Sequence, residues 1–236
     1  MSKELTKTAT AELAPMDLSA WGVEETTTKD LLIPRLMIMQ GLSQNVMDGK
    51  AKMGDIVDSM TNEVLGGRDK PLEFLPFKVE KIFYVEEWKD GSWKFSAIEK
   101  VTQENVNTPN EVVRDGKKFK YTYTLNFFVL IEGKGLPYLL AFKSTSMRAG
   151  KALFTQMYVS NRALGKAPCA NWMNLVVTQT KNDKGTYATI AAQPSKEASR
   201  EDQLKALDWF KTLEASKFET HEEEKSFTQS EEYTRF

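Results

Sequence analysis

Two kinds of residue stand out for the chemistry they could do: aromatic rings at strand spacing, and cations gathered in one part of the chain. From Arg114 to Lys184, twelve basic residues meet only three acids, in a chain whose formal net charge is -1. Such segregation points to an anionic partner, and nucleic acid is the commonest polyanion. Sequence-tolerant binding of single strands needs ring faces for the bases and cations for the phosphates. Tyr84, Trp88, Trp93 and Phe95 supply rings on either side of Asp90-Gly91. That dipeptide favours a type I′ hairpin turn, which requires positive φ at both central residues. A two-residue turn there sets Lys89 against Ser92, Trp88 against Trp93 and Glu86 against Phe95. The four rings then leave one face of the ribbon, and Lys89 and Lys94 leave the other. Candidate phosphate ligands are Lys117, Lys118, Lys120, Lys143, Arg148, Lys151, Lys181 and Lys184. Tyr121, Tyr123 and Phe127 form a second ring stripe, which is also the pattern of a buried strand face.

The run Lys143-Ser144-Thr145-Ser146-Met147-Arg148-Ala149-Gly150-Lys151 superficially resembles a phosphate loop. It lacks the glycine needed where Thr145 stands, and Ala152 replaces the Mg²⁺-binding hydroxyl. Nucleotide hydrolysis by that route is excluded. Backbone N–H groups at a helix start, hydroxyls and cations still suit a phosphate. Catalysis is otherwise poorly served. The one histidine, His221, falls in an expected tail, and imidazole bases belong inside a fold. Asp55, Asp58 and Glu63 are the acids with scope to cluster around metals, and nothing else in the sequence supports a two-metal site. No enzymatic activity, metal or cofactor is expected. Cys169 is the only cysteine, so no internal disulfide forms. No apolar run approaches the ~20 residues of a membrane span, and no signal-peptide core follows the first residues.

The elements that must position these groups read mainly as strands. Residues 1–28 are expected to be a flexible arm, 29–218 a single domain and 219–236 a flexible acidic tail. Leu31 to Gln40 is an apolar strap interrupted by Pro34. Strands are expected near Gly54–Asp58, Glu63–Gly66, Leu72–Trp88 and Lys118–Ile131, the last after a second hairpin signal at Asp115-Gly116. A return strand runs from Leu136 to Lys143. Residues 98–113 read as a loop. A helix over about Met147–Leu164 places Leu153, Met157 and Leu164 inside. Strands Asn171–Thr180 and Thr186–Gln193 flank a loop over 181–185. A last helix, Lys196 to about Phe218, carries Leu204, Ala206, Leu207, Phe210 and Leu213 at helical spacing. The fold class is mainly β with added helices (α+β): an OB-like antiparallel barrel core, one helix between late strands and one C-terminal helix.

Asp30-Leu31-Leu32-Ile33-Pro34-Arg35-Leu36, Gly49 to Gly54, Asn62-Glu63-Val64-Leu65-Gly66, and Lys143–Lys151 followed by Leu175 to Gln193 resemble the single-stranded DNA-binding proteins of bacteriophage replication modules. The resemblance spans about residues 30 to 193. It implies an OB-fold core, sequence-independent binding and protection of single-stranded DNA in phage replication or recombination, and self-association. The setting it implies is the host bacterial cytoplasm, with no membrane and no cofactor. The acidic end is similar to the docking tips of such proteins. It implies that Glu231, Glu232 and Phe236 engage replication or recombination proteins, although Arg235 departs from that pattern. Two other classes stay open. One is a protein-interaction module, such as a phage-encoded inhibitor of a host factor or a virion component, using the same rings as an apolar hot spot. The other is a metal-dependent nuclease.

Overall fold

The structure, a computed structural model, describes residues 32–183 and 185–215. The expected arm over 1–28, the tail over 219–236 with Glu231, Glu232 and Phe236, and Lys184 lie outside the described residues.

Three short strands, β1 (Leu36–Ile38), β2 (Ile56–Asp58) and β3 (Val64–Gly66), form a small antiparallel sheet, with one turn of helix α1 (Gln44–Met47) between β1 and β2. A seven-stranded sheet follows. Its members are β4 (Leu72–Lys89), β5 (Ser92–Lys100), β6 (Glu111–Arg114), β7 (Lys117–Ile131), β8 (Tyr138–Lys143), β9 (Asn171–Asn182) and β10 (Gly185–Glu197). Between β8 and β9, helix α2 (Met147–Thr155) runs through a π-helical segment, Gln156–Ser160, into α3 (Asn161–Ala163). Helix α4 (Arg200–Ala215) comes last.

The long ribbon β4–β7, paired from Phe74↔Ile131 to Glu87↔Phe119, belongs to two structures at once. At one end β9 joins β4, β10 joins β9 and β8 joins β7, giving the body of the molecule. At the other end β5 pairs the second half of β4, and β6 pairs the start of β7, giving a four-stranded arm. Strand composition follows this division. In the body, Leu125, Phe127, Val129 and Ile131 face the main core with Leu140, Phe142, Leu153 and Leu175. Phe128 and Leu130 face a second cluster with Leu75, Phe77 and Trp172, beneath Ala206 and Leu213 of α4. Both sides of β7 are buried there, so its sequence is continuously apolar. In the arm, one side is wet, and Lys118 to Thr124 alternates.

The expected class, antiparallel β with added helices, is the architecture observed. The sheet does not close into a barrel: among the described residues β8 and β10 do not pair. The apolar strap spans the gap between them. Arg35 bridges to Leu139 in β8, whose N–H donates to the Pro34 carbonyl at 2.8 Å. Five residues on, the Gln40 amide donates to the Ala188 carbonyl of β10 at 3.1 Å and accepts its N–H at 2.9 Å. Helix α2 touches both strands. Two sheet edges that would otherwise invite another strand are thereby covered.

Several expected boundaries move. Residues 98–113 are only partly loop, because β5 reaches Lys100 and β6 pairs Lys117–Lys120. The β9–β10 loop is tighter than 181–185, since Gly185 pairs with Asn182. Strand β10 continues to Glu197, so α4 starts later than Lys196. Its N-cap is Ser199, whose hydroxyl accepts the Asp202 N–H while the Asp202 carboxylate accepts the Ser199 N–H, both at 3.1 Å. Leu164 is exposed, as are Leu204, Leu207 and Phe210. Helix α4 docks through Ala206 and Leu213, with Trp209 packed beside them.

The small sheet is tied to β8 by one buried bond. The Tyr138 hydroxyl donates to Asp58 Oδ2 at 2.9 Å. Burial first, then the Asp58 carboxylate, raises the Tyr138 phenol above its ordinary range. Asp58 also accepts the Met60 N–H at 2.7 Å. Tyr138→Phe leaves a buried carboxylate oxygen short of its donor and is expected to cost about 1–3 kcal/mol of stability. Urea denaturation checks this; an unchanged midpoint would mean that water replaces the hydroxyl.

Candidate nucleic-acid interface

The two hairpins that carry the candidate rings and lysines form as turn chemistry dictates. Asp90 and Gly91 adopt φ of 52° and 77°, and Asp115 and Gly116 adopt 51° and 75°. Both turns cap the same end of the arm. Lys89 pairs with Ser92, Trp88 with Trp93 and Glu86 with Phe95, as expected, and a bulge follows between Glu86 and Val85. Opposed residues share a face. On the ring face, Trp88 lies beside Trp93, Glu86 lies between Phe95 and Lys120, and Tyr84 lies beside Thr122. Lys118 follows by alternation, and Lys143 by its pairing with Thr124.

The rings meet in pairs. Trp88 and Trp93 stand edge to face, centroids 5.2 Å apart at 72°, and Tyr84 and Phe95 are 5.1 Å apart at 40°. Lys120 Nζ lies 5.9 Å from the Trp93 ring, and Lys143 Nζ lies 5.3 Å from the Tyr84 ring. Trp88 is 42% exposed, while the other three rings are half-buried. The structure thus brings Tyr84, Trp88, Trp93, Phe95, Lys118, Lys120 and Lys143 onto one surface.

The second ring stripe goes elsewhere. Tyr121 is buried edge-on to Phe83, with centroids 5.8 Å apart, and Phe127 is buried against Phe142. Tyr123 is half-buried beside them. Trp172 is also core. Lys117 projects on this opposite face, 3.5 Å from Glu87, which also accepts Lys89 at 2.6 Å. The Lys89 hydrogen bond above all, with the Lys117 charge added, holds the Glu87 carboxyl below its ordinary range.

Glu86 and Glu87 are the residues that sequence reasoning missed. They lie outside the basic stretch along the chain and inside it in space. The β4–β7 register sets Glu86 opposite Lys120, and their side chains meet at 3.1 Å. Their signal was the local hairpin register, which places Glu86 beside Phe95; the missing part was the non-local pairing with β7. Lys118, Arg148 and Lys151 are exposed and, among the described residues, have no carboxylate at ion-pair distance. Arg148 and Lys151 ride on α2, directly after Lys143. The Ser146 hydroxyl in that segment is engaged by Lys143, accepting its N–H at 3.0 Å and donating to its carbonyl at 2.9 Å. It is no open donor for a phosphate. Lys181 stands apart. Strand β9 leaves β4 at Leu175↔Leu72 and runs on to Lys181, away from the end that carries Trp88.

Among the described residues, no group of three or more His, Cys, Asp or Glu could hold a metal ion. No described helix is long and apolar enough to cross a membrane. A family model described as Pam3 phage gp34-like protein matches residues 3–217. No curated protein and no solved structure matches the chain.

Proposed function

The chain belongs to the Pam3 phage gp34-like protein family, and from that premise we propose that it binds single-stranded DNA without regard to sequence, coating and protecting it during phage replication or recombination. The observation that carries this is the ring face of the arm. Two ring pairs and three lysines share one surface there, the combination that base stacking and phosphate contact require. Strand order in the body supports an OB-like reading. Strand β4 pairs with both β7 and β9, β8 flanks β7, β10 flanks β9, and the helix pair falls between β8 and β9. OB folds are five-stranded, partly open barrels that bind strands on their second and third strands and adjoining loops. In this reading β7 is the second strand, and the arm is an enlarged first loop.

Tryptophan fluorescence during titration with a thymidine oligomer, against a duplex of equal length, tests the proposal. Quenching by the single strand alone, weakened by salt, is expected. Lys118→Ala should flatten the log–log salt dependence by about 0.7, and Lys120→Ala by less, because Lys120 already holds Glu86. Silence toward both nucleic acids would overturn the reading.

One observation favours a second reading. Lys117 and Lys120 are already matched by Glu87 and Glu86, so the arm is less cationic than its sequence. A ring surface with balanced charge suits a protein partner. Binding to such a partner would resist salt, whereas strand binding would not.

A further inference from the structure

The ring face contains a carboxylate that no strand-binding surface needs. Glu86 sits between Phe95 on β5 and Lys120 on β7, and its Oε2 takes the Lys120 Nζ at 3.1 Å. Both side chains are largely sheltered, with 18% of Glu86 and 37% of Lys120 exposed. Their backbones are fixed by neighbouring strands, so the pair forms with little ordering cost. The same ammonium leans toward Trp93. One ammonium, that of Lys120, thus serves both a ring and an anion, the two groups that a stacked base and its phosphate would present.

We propose that Glu86 is an internal stand-in for a nucleic-acid phosphate, so that strand binding exchanges carboxylate for phosphate on Lys120. This rests on the single-strand reading above and deepens it. The exchange sets a threshold. An isolated phosphate gains one contact and breaks one, and so gains almost nothing. A strand brings stacking and a further phosphate to Lys118, and these drive the exchange. The device therefore selects polymeric single strands over free nucleotides and inorganic phosphate. Glu87 provides an internal control, because it projects from the opposite face and holds Lys89 and Lys117 there.

The test compares the full-length wild type with Glu86→Gln and Glu87→Gln, using a labelled thymidine oligomer over a salt series. Glu86→Gln should bind about two- to fivefold more tightly, the worth of one partly exposed ion pair. Its log–log salt slope should steepen by up to about 0.7, because the released ammonium now gains a phosphate without losing a partner. Glu87→Gln should change neither. In the Glu86→Gln background, Lys120→Ala should erase the gain. Thermal melts check that all variants fold. Unchanged affinity in Glu86→Gln, with a wild type that binds, overturns the stand-in alone. An equal gain in Glu87→Gln also overturns it, since general charge would then explain both. A wild type that binds no single strand overturns the functional reading itself.

Discussion

Trp88→Ala is expected to weaken binding of a thymidine oligomer by about 1–3 kcal/mol, roughly five- to 150-fold. Trp88 is the most exposed of the four rings and is the penultimate residue of β4, beside the hairpin turn. It stands edge to face with Trp93 and is 42% exposed, so Trp93 supports a ring that remains accessible. Losing that pair costs the fold about 0.5–1.5 kcal/mol, a smaller effect than the loss of binding. The buried cluster of the arm, Phe83, Val85 and Tyr121, lies on the opposite side of the sheet and is untouched. Affinity should therefore fall while the thermal midpoint moves little. Trp88→Phe should keep much of the affinity, because a smaller ring still stacks. An alanine variant that binds like the wild type would remove Trp88 from the surface and shift attention to the protein-partner reading.

The hairpin that presents Trp88 was legible in the sequence because everything that specifies it is local. Asp90-Gly91 sets the turn, the turn sets the register, and the register sets the face. Facing was a different matter. Whether the face with Trp88 or the face with Phe83 is buried depends on side chains that β6, β7 and the segment after β5 bring to one side, Val101, Val112, Phe119 and Tyr121 among them. That is decided by pairings some thirty residues away, which turn chemistry does not encode. The same gap explains Glu86 and Glu87. A count along the chain showed a basic stretch, and only the β4–β7 register shows its lysines meeting acids from outside it. Helix α4 illustrates a third limit. Leu204, Ala206, Leu207, Phe210 and Leu213 stood at helical spacing, and of these Ala206 and Leu213 are buried while Leu204, Leu207 and Phe210 are exposed. Which of them turn inward is set by where the helix meets Leu75, Phe77 and Trp172, a contact that helical spacing does not encode. The strap was legible as apolar packing, but its role in spanning β8 and β10 through Arg35 and Gln40 was not, because Gln40 acts through its side-chain amide.

Gly150→Val should cost about 1–3 kcal/mol of stability or more, the penalty of overpacking a filled core. A Cβ on Gly150 would lie 2.6 Å from Phe142 Cβ and 2.8 Å from its Cγ. These atoms are the root of the side chain, so no rotamer change withdraws them. Phe142 is itself buried and locked edge-on against Phe127, with centroids 5.4 Å apart. Leu125 closes the third side at 3.3 Å. The helix must move instead. Even Gly150→Ala should destabilise, although alanine is about 1 kcal/mol the better helix former. Urea denaturation reads both variants, and an alanine variant as stable as the wild type would show that α2 can lift freely. The functional consequence follows from what α2 carries. Arg148 and Lys151 flank Gly150, and Lys143 ends the strand that leads into the helix. Lifting the helix should displace Arg148 and Lys151, so Gly150→Val is expected to lose whatever strand affinity these two cations supply together with stability. Lys151→Ala removes one cation from an exposed position and should weaken strand binding with the denaturation midpoint unchanged. If Lys151→Ala binds as the wild type does, α2 is a structural plug and the strand path is confined to the arm.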